Sequence, residues 1–477
     1  MKNHSRNKKR ISPLKAGFWY TVSNFIVKGI VFITMPIFTR VMDSSDIGLF
    51  SNVTSWFSIL AIITTFQLYS SVNIAKYEYF GELDSYISSN LFLGNIITIL
   101  WYAIILVFND FFVTLFNIDI VSLNVIFIYL LFYPAIEMYQ AKNRIDYNYR
   151  SSVFISIVSC VASTVFALLL VLVSKNKFIG RVFGYYIPLI VISIVVYVVL
   201  MMRGKSISKK YWKFALSVSF PLIWHLLAGT LLNSCDKIMI TNMISSSANA
   251  KYSVAYTCSM VISLLWSSMN SAWSPWAFDM MKENNSDALK KNVKPYLFFF
   301  CGVALIFMLF APELLYIMGG ANYLDAINVL PPVMLGYIFQ FVYSLYINIE
   351  YFNRKQKYIA FGTVVAAVVN IILNLIFIPM FGYVAAAYTT LIGYVTLFII
   401  HYLIVKYMKF SYLYDIKFFT IVLLMMSFVS IIINILYNYT IIRYIFIFLN
   451  IYIFIRIVIK NKEILNKIIK NKTKGKL

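Results

Sequence analysis

Long apolar runs separated by short polar segments make up almost the whole of this 477-residue chain. A helix needs roughly 20 apolar residues to cross about 30 Å of hydrocarbon, and about fourteen runs approach or exceed that length. Their approximate limits are 16–39, 47–70, 86–108, 118–140, 152–174, 178–202, 214–236, 252–275, 296–318, 328–350, 358–379, 383–405, 417–437 and 440–459. The pattern predicts an all-α, polytopic membrane protein with about fourteen transmembrane helices. The longest connection, from Asp279 to Lys294, is too short to hold a folded domain.

The composition excludes an ordinary soluble protein. Hydrophobic residues make up 61% of the chain, charged residues 12%, and the mean hydropathy is +0.79, whereas soluble domains carry about 25% charged residues. In a soluble protein the net charge of +23 would favour nucleic acid as a partner. Here most basic residues fall on segments that are cytoplasmic if the N-terminus is cytoplasmic, so the excess indicates topology. We therefore expect both termini in the cytoplasm, the lipid bilayer as surroundings and no nucleic-acid partner; Lys175, Lys177 and Arg181 are exceptions on an outside segment.

The sequence offers no site for enzyme chemistry. Its four cysteines lie singly in apolar runs, without the spacing of a zinc site or a redox pair, and are expected to be packing residues. No phosphate-binding glycine loop precedes a Lys-Ser or Lys-Thr pair, and no large outside loop could house a catalytic domain. We therefore expect a membrane transporter, with no catalytic residues and no metal site.

An internal repeat divides the chain. The segment Arg40 to Ser51 resembles Asn242 to Ser253 at an offset of 202, with three serines matched, and a second match occurs at an offset of 203. Both pairs lie at equivalent points between spans, which predicts two pseudo-symmetric six-helix lobes and two further C-terminal helices, with a substrate path between the lobes. The predicted divisions are a basic N-terminus at 1–15, an N-lobe at 16–202, a basic linker at 203–213, a C-lobe at 214–405, two spans at 406–459 and a basic tail at 460–477.

Lys28 is the sharpest candidate for a functional residue. It lies near the centre of the first span, where an ionisable group costs about 2.5–3.5 kcal/mol on insertion scales. Tyr20, Asn24 and Lys28 are spaced four residues apart and so share one helix face. The alternative is a structural lysine paired with a buried carboxylate. Because central carboxylates are scarce in the chain, a lysine in the lumen favours an anionic cargo such as a lipid pyrophosphate.

Other polar residues within the runs have two interpretations each. His225 corresponds in depth to Lys28 and shares a face with Asp236 in the seventh span; it either forms a structural hydrogen bond or carries a proton. Asp236, at the expected outer helix end, either couples an ion or pairs with a neighbouring lysine, and Glu137 either couples an ion or forms an interfacial salt bridge. Asn370 and Asn374 form a stripe in the eleventh span that lines the lumen or bonds helices together.

Three segments resemble oligosaccharide flippases of the polysaccharide-biosynthesis, O-antigen-export type: PIFTRVMDSSDIGLFS, CDKIMITNMISSSANAKYSVAY and VVNIILNLIFIPMFGYVAAAYTTLIGY. Those flippases belong to the multidrug/oligosaccharidyl-lipid/polysaccharide exporter superfamily. The resemblance implies a V-shaped central cavity and the flipping of undecaprenyl-pyrophosphate-linked oligosaccharide across the bacterial cytoplasmic (inner) membrane. O-antigen (lipopolysaccharide), capsule or exopolysaccharide assembly would follow, with a polysaccharide polymerase and a chain-length regulator as partners.

The resemblance also implies a cationic cavity, and by position Lys28 and Arg40 match its basic sites. It implies coupling to an H⁺ or Na⁺ gradient rather than a cofactor. The second lobe departs from this pattern, because Asn242 stands where Arg40 would repeat.

We therefore expect a flippase that works by alternating access. The residues expected at the lumen are Lys28, Arg40, Asn24, His225, Asn370 and Asn374, and those considered for ion coupling are His225, Asp236 and Glu137. Three alternatives remain open at this point: a multidrug/cation antiporter of the same superfamily, a polysaccharide polymerase, which would be an enzyme, and a peptidoglycan-precursor flippase.

Overall fold

The structure, a computed structural model, describes residues 13–460, and every regular element within that range is a helix. The predicted tail from 461 and the N-terminal segment up to residue 12 lie outside the described residues. The first nine helices are α1 Pro13–Val41, α2 Ser44–Thr65, α3 Val72–Glu78, α4 Leu83–Val107, α5 Asn109–Phe116, α6 Ile120–Ile145, α7 Tyr149–Val173, α8 Lys177–Gly204 and α9 Lys209–Met243. The remaining helices are α10 Ser246–Lys282, α11 Ser286–Leu309, α12 Ala311–Gly319, α13 Leu330–Phe352, α14 Gln356–Phe381, α15 Tyr383–Tyr407, α16 Ile416–Leu436 and α17 Thr440–Lys460.

The predicted all-α, multi-pass organisation is confirmed. Each of the fourteen apolar runs overlaps one long helix, and α3, α5 and α12 are short additions between them. Among residues 13–460, twelve helices are long and apolar enough to cross a membrane; α10 and α17 are the two long helices outside that set.

The ninth predicted run is misplaced. The limits 296–318 were expected for it, but α11 begins at Ser286 and ends at Leu309, and the rest of the run forms α12. The expected connection from Asp279 to Lys294 is therefore mostly helical. The Asn285 side chain accepts a hydrogen bond from the backbone amide of Ala288 at 3.0 Å, which favours a helix start there. Apolar runs mark where a helix crosses hydrocarbon, whereas polar helix ends extend beyond it.

Short polar residues and a glycine set several other helix boundaries. Asp119, Asn176 and Asp415 each accept a backbone N–H from the first turn of the following helix, at 2.9–3.1 Å for the shortest contact. These contacts satisfy donors that a helix start leaves open. Gly382 has φ +75° between α14 and α15, a conformation that side-chain-bearing residues rarely adopt.

The chain forms two compact units: Met1–Ser253 with Asn374–Tyr383, and Val254–Leu373 with Val384–Leu477. We call them unit 1 and unit 2. The lobe boundaries predicted from the repeat stay a prediction. In unit 2, α13 is the most deeply embedded of the apolar spans, with 78% of its apolar window buried.

Close packing and one buried cation organise unit 1. A Cβ added to Gly184 of α8 would lie 2.4 Å from the Cα of Ala167 in α7, so these helices approach at the backbone. Arg181, 8% exposed, lies between the rings of Phe38 and Phe50, with its guanidinium carbon 4.1 Å from each centroid. Lys177 Nζ donates to the Val41 carbonyl oxygen at 2.6 Å. Lys177 and Arg181, which are exceptions to the charge pattern, therefore hold α8 against the end of α1 and the start of α2.

The two halves of the serine repeat contact each other within unit 1. The Oγ atoms of Ser51 and Ser253, which the repeat matches, are 2.7 Å apart. Ser44 Oγ donates to Ser247 Oγ at 3.4 Å. A Cβ on Gly48 would lie 1.7 Å from the Ser246 carbonyl oxygen, so no larger residue fits there. The start of α2 therefore packs tightly on the start of α10, as expected for a self-complementary contact between related segments.

Candidate functional site

Lys28 lies near the middle of the 29-residue helix α1. Its side chain is half-buried, and with the residues that the structure describes it forms no hydrogen bond or ion pair. No described carboxylate therefore neutralises it, as the structural alternative would require. Asn24, one turn earlier, is exposed. Helix α1 also contacts α7, where Cys160 Sγ donates to the Val27 carbonyl oxygen at 3.7 Å.

Arg40 is exposed at the end of α1, and its Nη1 donates to the Pro36 carbonyl oxygen at 2.7 Å. It follows Lys28 by twelve residues, which is about 18 Å along a helix axis and about 120° around it. One phosphate group therefore cannot sit between the two cations. Asn242, the repeat equivalent of Arg40, is exposed in α9 and donates from Nδ2 to the Leu115 carbonyl oxygen at 3.1 Å.

Asp236 and Asn374 are brought together within unit 1, although they are 138 residues apart in sequence. Asn374 Nδ2 donates to Asp236 Oδ1 at 2.7 Å, and the Tyr252 hydroxyl donates to Oδ2 at 2.7 Å. Asp236 is 1% exposed and Asn374 is fully buried. Asp236 was expected at the outer end of its helix, but α9 continues to Met243. The structure thus provides a deeply buried carboxylate that accepts hydrogen bonds from Asn374 and Tyr252, inside an apolar helix.

The remaining predicted residues are dispersed. His225 is half-buried in α9 and precedes Asp236 by eleven residues, about 16 Å along the helix. Glu137 is half-buried in α6 and lies within interaction range of Tyr133 and Arg144. In unit 2, Asn370 is fully buried and donates from Nδ2 to Thr390 Oγ1 at 3.4 Å. This contact joins α14 to α15, which is the kind of bond between helices that was one of the two interpretations of Asn370.

Glu350 and His401 form a buried pair that the sequence did not single out. These residues of α13 and α15 are both 0% exposed, and His401 Nδ1 lies 2.7 Å from Glu350 Oε1. Within the described residues, Glu350 Oε2 and His401 Nε2 have no hydrogen-bond partner. The Tyr343 ring stacks on the imidazole at a centroid distance of 5.9 Å, and a Cβ on Gly362 would lie 3.0 Å from it. The available signal was that each residue is ionisable and falls inside a predicted span.

A second pair that the sequence did not single out, Arg443 and Glu313, joins α17 to α12. Arg443 donates from Nη1 to Glu313 Oε2 at 2.6 Å and to the Leu309 carbonyl oxygen at 2.7 Å, while Nη2 donates to Oε1. The Tyr444 hydroxyl also donates to this carboxylate at 2.8 Å. Burial raises the pKa of Glu313, but hydrogen bonds from Arg443 and Tyr444 and the charge of Arg443 outweigh that effect and lower it below its usual value.

Solved structures of low sequence identity share this fold. The lipid II flippase MurJ, in an inward closed conformation, superposes with a TM-score of 0.69 at 16% identity, over 94% of this chain and 100% of that one. An inward-facing multidrug resistance MATE family transporter of the MOP superfamily superposes with a TM-score of 0.65 at 14% identity, over 83% and 98%. At these identities the likeness concerns the fold alone, and it agrees with the predicted all-α, multi-pass fold class.

Sequence comparison agrees with the structural one. An uncharacterised membrane protein of Methanocaldococcus jannaschii is 24% identical over 426 residues, which is 81% of this chain and 82% of that protein. A family model described as polysaccharide biosynthesis protein matches residues 14–281, which is more than half of the chain and includes Lys28, Arg40 and Asp236. The chain therefore belongs to the polysaccharide biosynthesis protein family.

Proposed function

We propose that the protein is a flippase for undecaprenyl-pyrophosphate-linked oligosaccharide repeat units. It would move them across the bacterial cytoplasmic (inner) membrane during assembly of O-antigen (lipopolysaccharide), capsule or exopolysaccharide. Membership of a polysaccharide biosynthesis family and a fold shared with a lipid II flippase support this proposal. The observation that carries it is Lys28, a cation in the middle of an apolar helix with no counter-charge among the described residues.

A bound pyrophosphate explains why such a lysine is tolerated. An ammonium placed in the membrane costs about 2.5–3.5 kcal/mol on insertion scales. An anionic headgroup offsets that cost only while it is bound, so the lysine gains most when cargo is present. A built-in carboxylate would remove this dependence, and the described residues supply none to Lys28. The glycan would pass through a polar lumen while the polyprenyl tail stays in lipid.

The spacing of the two basic residues of α1 suggests successive stages. Because Lys28 and Arg40 are about 18 Å apart along the axis, they would hold the pyrophosphate at different points of the path, Lys28 first and Arg40 near the outer mouth. Asn24, next to Lys28 on the same face, would bind glycan hydroxyls or phosphate oxygens.

We further propose that Asp236 couples transport to an ion gradient, of H⁺ or Na⁺, without any cofactor. Its carboxylate is buried in α9 and contacts Tyr252 and Asn374, so gain or loss of a cation there would alter the packing of these residues. His225 and Glu137 are the other titratable candidates. Both termini would be cytoplasmic, and a polysaccharide polymerase and a chain-length regulator would receive the delivered units.

Deletion of the gene tests this function. We expect lipid-linked repeat units to accumulate on the cytoplasmic face and surface polysaccharide to disappear, with recovery on expression of the wild-type chain but not of Lys28→Glu. Altered drug susceptibility with unchanged surface glycan would instead indicate a cation antiporter. Single repeat units capped on the surface would indicate a polymerase, and arrest of peptidoglycan synthesis would indicate a peptidoglycan-precursor flippase. Each of these three results would overturn the proposal.

A cross-link tests alternating access. The Ser51 and Ser253 hydroxyls are 2.7 Å apart, so cysteines at both positions should form a disulfide with little backbone movement. If the contact between α2 and α10 opens during transport, oxidised Ser51→Cys/Ser253→Cys protein will be inactive and reductant will restore activity. The two single-cysteine variants serve as matched controls. Full transport by a quantitatively cross-linked protein would show that this contact stays closed throughout the cycle.

A further inference from the structure

A groove of about 710 Å³ lies on unit 1, between α7 and α8 with Tyr139 of α6 at its side. Its lining residues are Tyr139, Arg150, Ser151, Phe154, Ile155, Val158, Val191, Ile192, Val195 and Val196. The α7 residues recur every four positions, and so do those of α8, so each helix contributes one continuous face. From Arg150 to Val158 the groove follows α7 for about 12 Å. Its volume lies in the range of about 300–1,000 Å³ typical of small-molecule sites.

The two ends of the groove differ in chemistry. Phe154, Val158, Val191 and Val195 are exposed apolar residues in membrane-crossing helices, which suits an acyl chain. Arg150, at the start of α7, is exposed, and it forms no ion pair or hydrogen bond with the residues that the structure describes. The charge pattern of the sequence predicts that this end of α7 is cytoplasmic. A guanidinium there matches the position of anionic headgroups.

Two further features at that end favour an anion. Asn148 precedes α7 without capping it by a side-chain hydrogen bond, so the first amides of the helix remain available to an acceptor. Asn148 Nδ2 donates to Ser151 Oγ at 3.1 Å, which leaves the serine hydroxyl hydrogen for another acceptor. Arg150, Ser151 and the helix start thus present donors and positive potential to one point beside the apolar groove.

We propose that this groove binds an anionic phospholipid of the inner leaflet, with its phosphate at Arg150 and an acyl chain between α7 and α8. The proposal does not depend on the transported substrate. Arg150 supplies the preference for an anionic headgroup, and the apolar walls supply binding that any acyl chain shares. Substitutions at the two ends should therefore affect lipid binding in different ways.

Lipid binding to the purified full-length chain in nanodiscs tests this assignment, with the ratio of bound phosphatidylglycerol to phosphatidylcholine as the readout. Arg150→Ala should lower that ratio about fivefold, since one basic residue near the surface contributes about that factor. Arg150→Lys should keep most of the preference. Val195→Trp, which fills the groove, should reduce binding of both lipids. Arg203→Ala is the matched control, because Arg203 is an exposed basic residue of α8 outside the groove lining.

Several results would overturn the proposal. One is an equal fall of the ratio in Arg150→Ala and Arg203→Ala, which would indicate general surface charge. Another is unchanged binding of both lipids in Val195→Trp. Displacement of phosphatidylglycerol by equimolar polyprenyl phosphate in the wild-type chain, but not in Arg150→Ala, would assign the groove to the transported lipid instead. Unfolding temperatures measured without added lipid must be equal across the four variants and the wild type.

Discussion

Lys28 of α1 and Arg443 of α17 are cations on two apolar helices, one in unit 1 and one in unit 2, and their surroundings are opposite. Arg443 is 3% exposed, and Glu313 and the Leu309 carbonyl oxygen accept its hydrogen bonds. Lys28 is half-buried and has no partner among the described residues. The comparison teaches that a cation in an apolar helix is not by itself a functional signal. What distinguishes the two is whether the described residues supply a counter-charge: Glu313 does so for Arg443, and none does so for Lys28.

Substitution of Lys28 should have the largest effect on function and almost none on folding. Loss of a charge-assisted contact and the added repulsion from a carboxylate should reduce export of surface polysaccharide about 100-fold or more in Lys28→Glu. Lys28→Ala should come close to that loss, and Lys28→Arg should retain part of the activity. Surface glycan per unit of membrane-inserted protein is the measurement.

The control for this series is the unfolding temperature of each purified variant. Since none of the described residues is a counter-charge that the substitution would leave unpaired, Lys28→Ala should unfold at the wild-type temperature or slightly above it. Normal surface glycan in Lys28→Glu at the wild-type protein level would show that Lys28 is not required for transport, so it would no longer differ in function from Arg443.

The Glu350 and His401 pair should show the largest effect on stability. His401→Leu leaves a carboxylate that is 0% exposed without its partner at 2.7 Å, which should cost about 3–5 kcal/mol in the free energy of unfolding. Denaturant titration of the purified protein measures this. Glu350→Met/His401→Leu removes both groups and should recover most of the loss. A double variant no more stable than the single one would show that the pair is not energetically coupled.

Arg443 should have a smaller effect of the same kind. Arg443→Met leaves Glu313 without its main partner, but the Glu313 side chain is 31% exposed and water can solvate it. We expect a loss of about 1–3 kcal/mol in the free energy of unfolding. A double-mutant cycle with Glu313→Gln should give a coupling energy between the two residues, measured by the same titration. A coupling energy of zero would mean that Arg443, like Lys28, gains no stability from a counter-charge among the described residues.

These pairs mark the boundary of what the sequence could predict. Each of the fourteen apolar runs gave a helix because hydrocarbon thickness sets a length that local composition must meet. The pairing of side chains has no such local signal. Glu350 and His401 are 51 residues apart, and Asp236 and Asn374 are 138 apart. Whether a residue faces a carboxylate or a lumen depends on tertiary packing, and a single sequence does not record it.

Lys28 illustrates what residue spacing could predict, and the basic residues of α8 illustrate what it could not. The four-residue spacing in α1 predicted a polar stripe, and the structure leaves Asn24 exposed and Lys28 half-buried. Lys177 and Arg181 departed from the charge pattern, and only the fold shows the reason. Lys177 donates to the Val41 carbonyl oxygen at the end of α1, and Arg181 lies between two aromatic rings. A cation–π site made from three helices cannot be inferred from residue spacing on any one of them.

The smallest effect in this comparison should be a pH dependence at Glu313, a residue of the short helix α12. Its pKa is lowered from the usual 4.5 in the folded protein, burial being outweighed by Arg443 and Tyr444. A lowered folded-state pKa contributes stability above the unfolded-state value and loses it as pH falls through the folded-state value. The unfolding temperature of the wild type should therefore exceed that of Glu313→Gln at pH 7, and the difference should shrink as pH falls below about 4.5. A difference that stays constant down to pH 3 would mean that hydrogen-bond geometry, and not the charge of the Glu313 carboxylate, is what makes its contact with Arg443 stabilising.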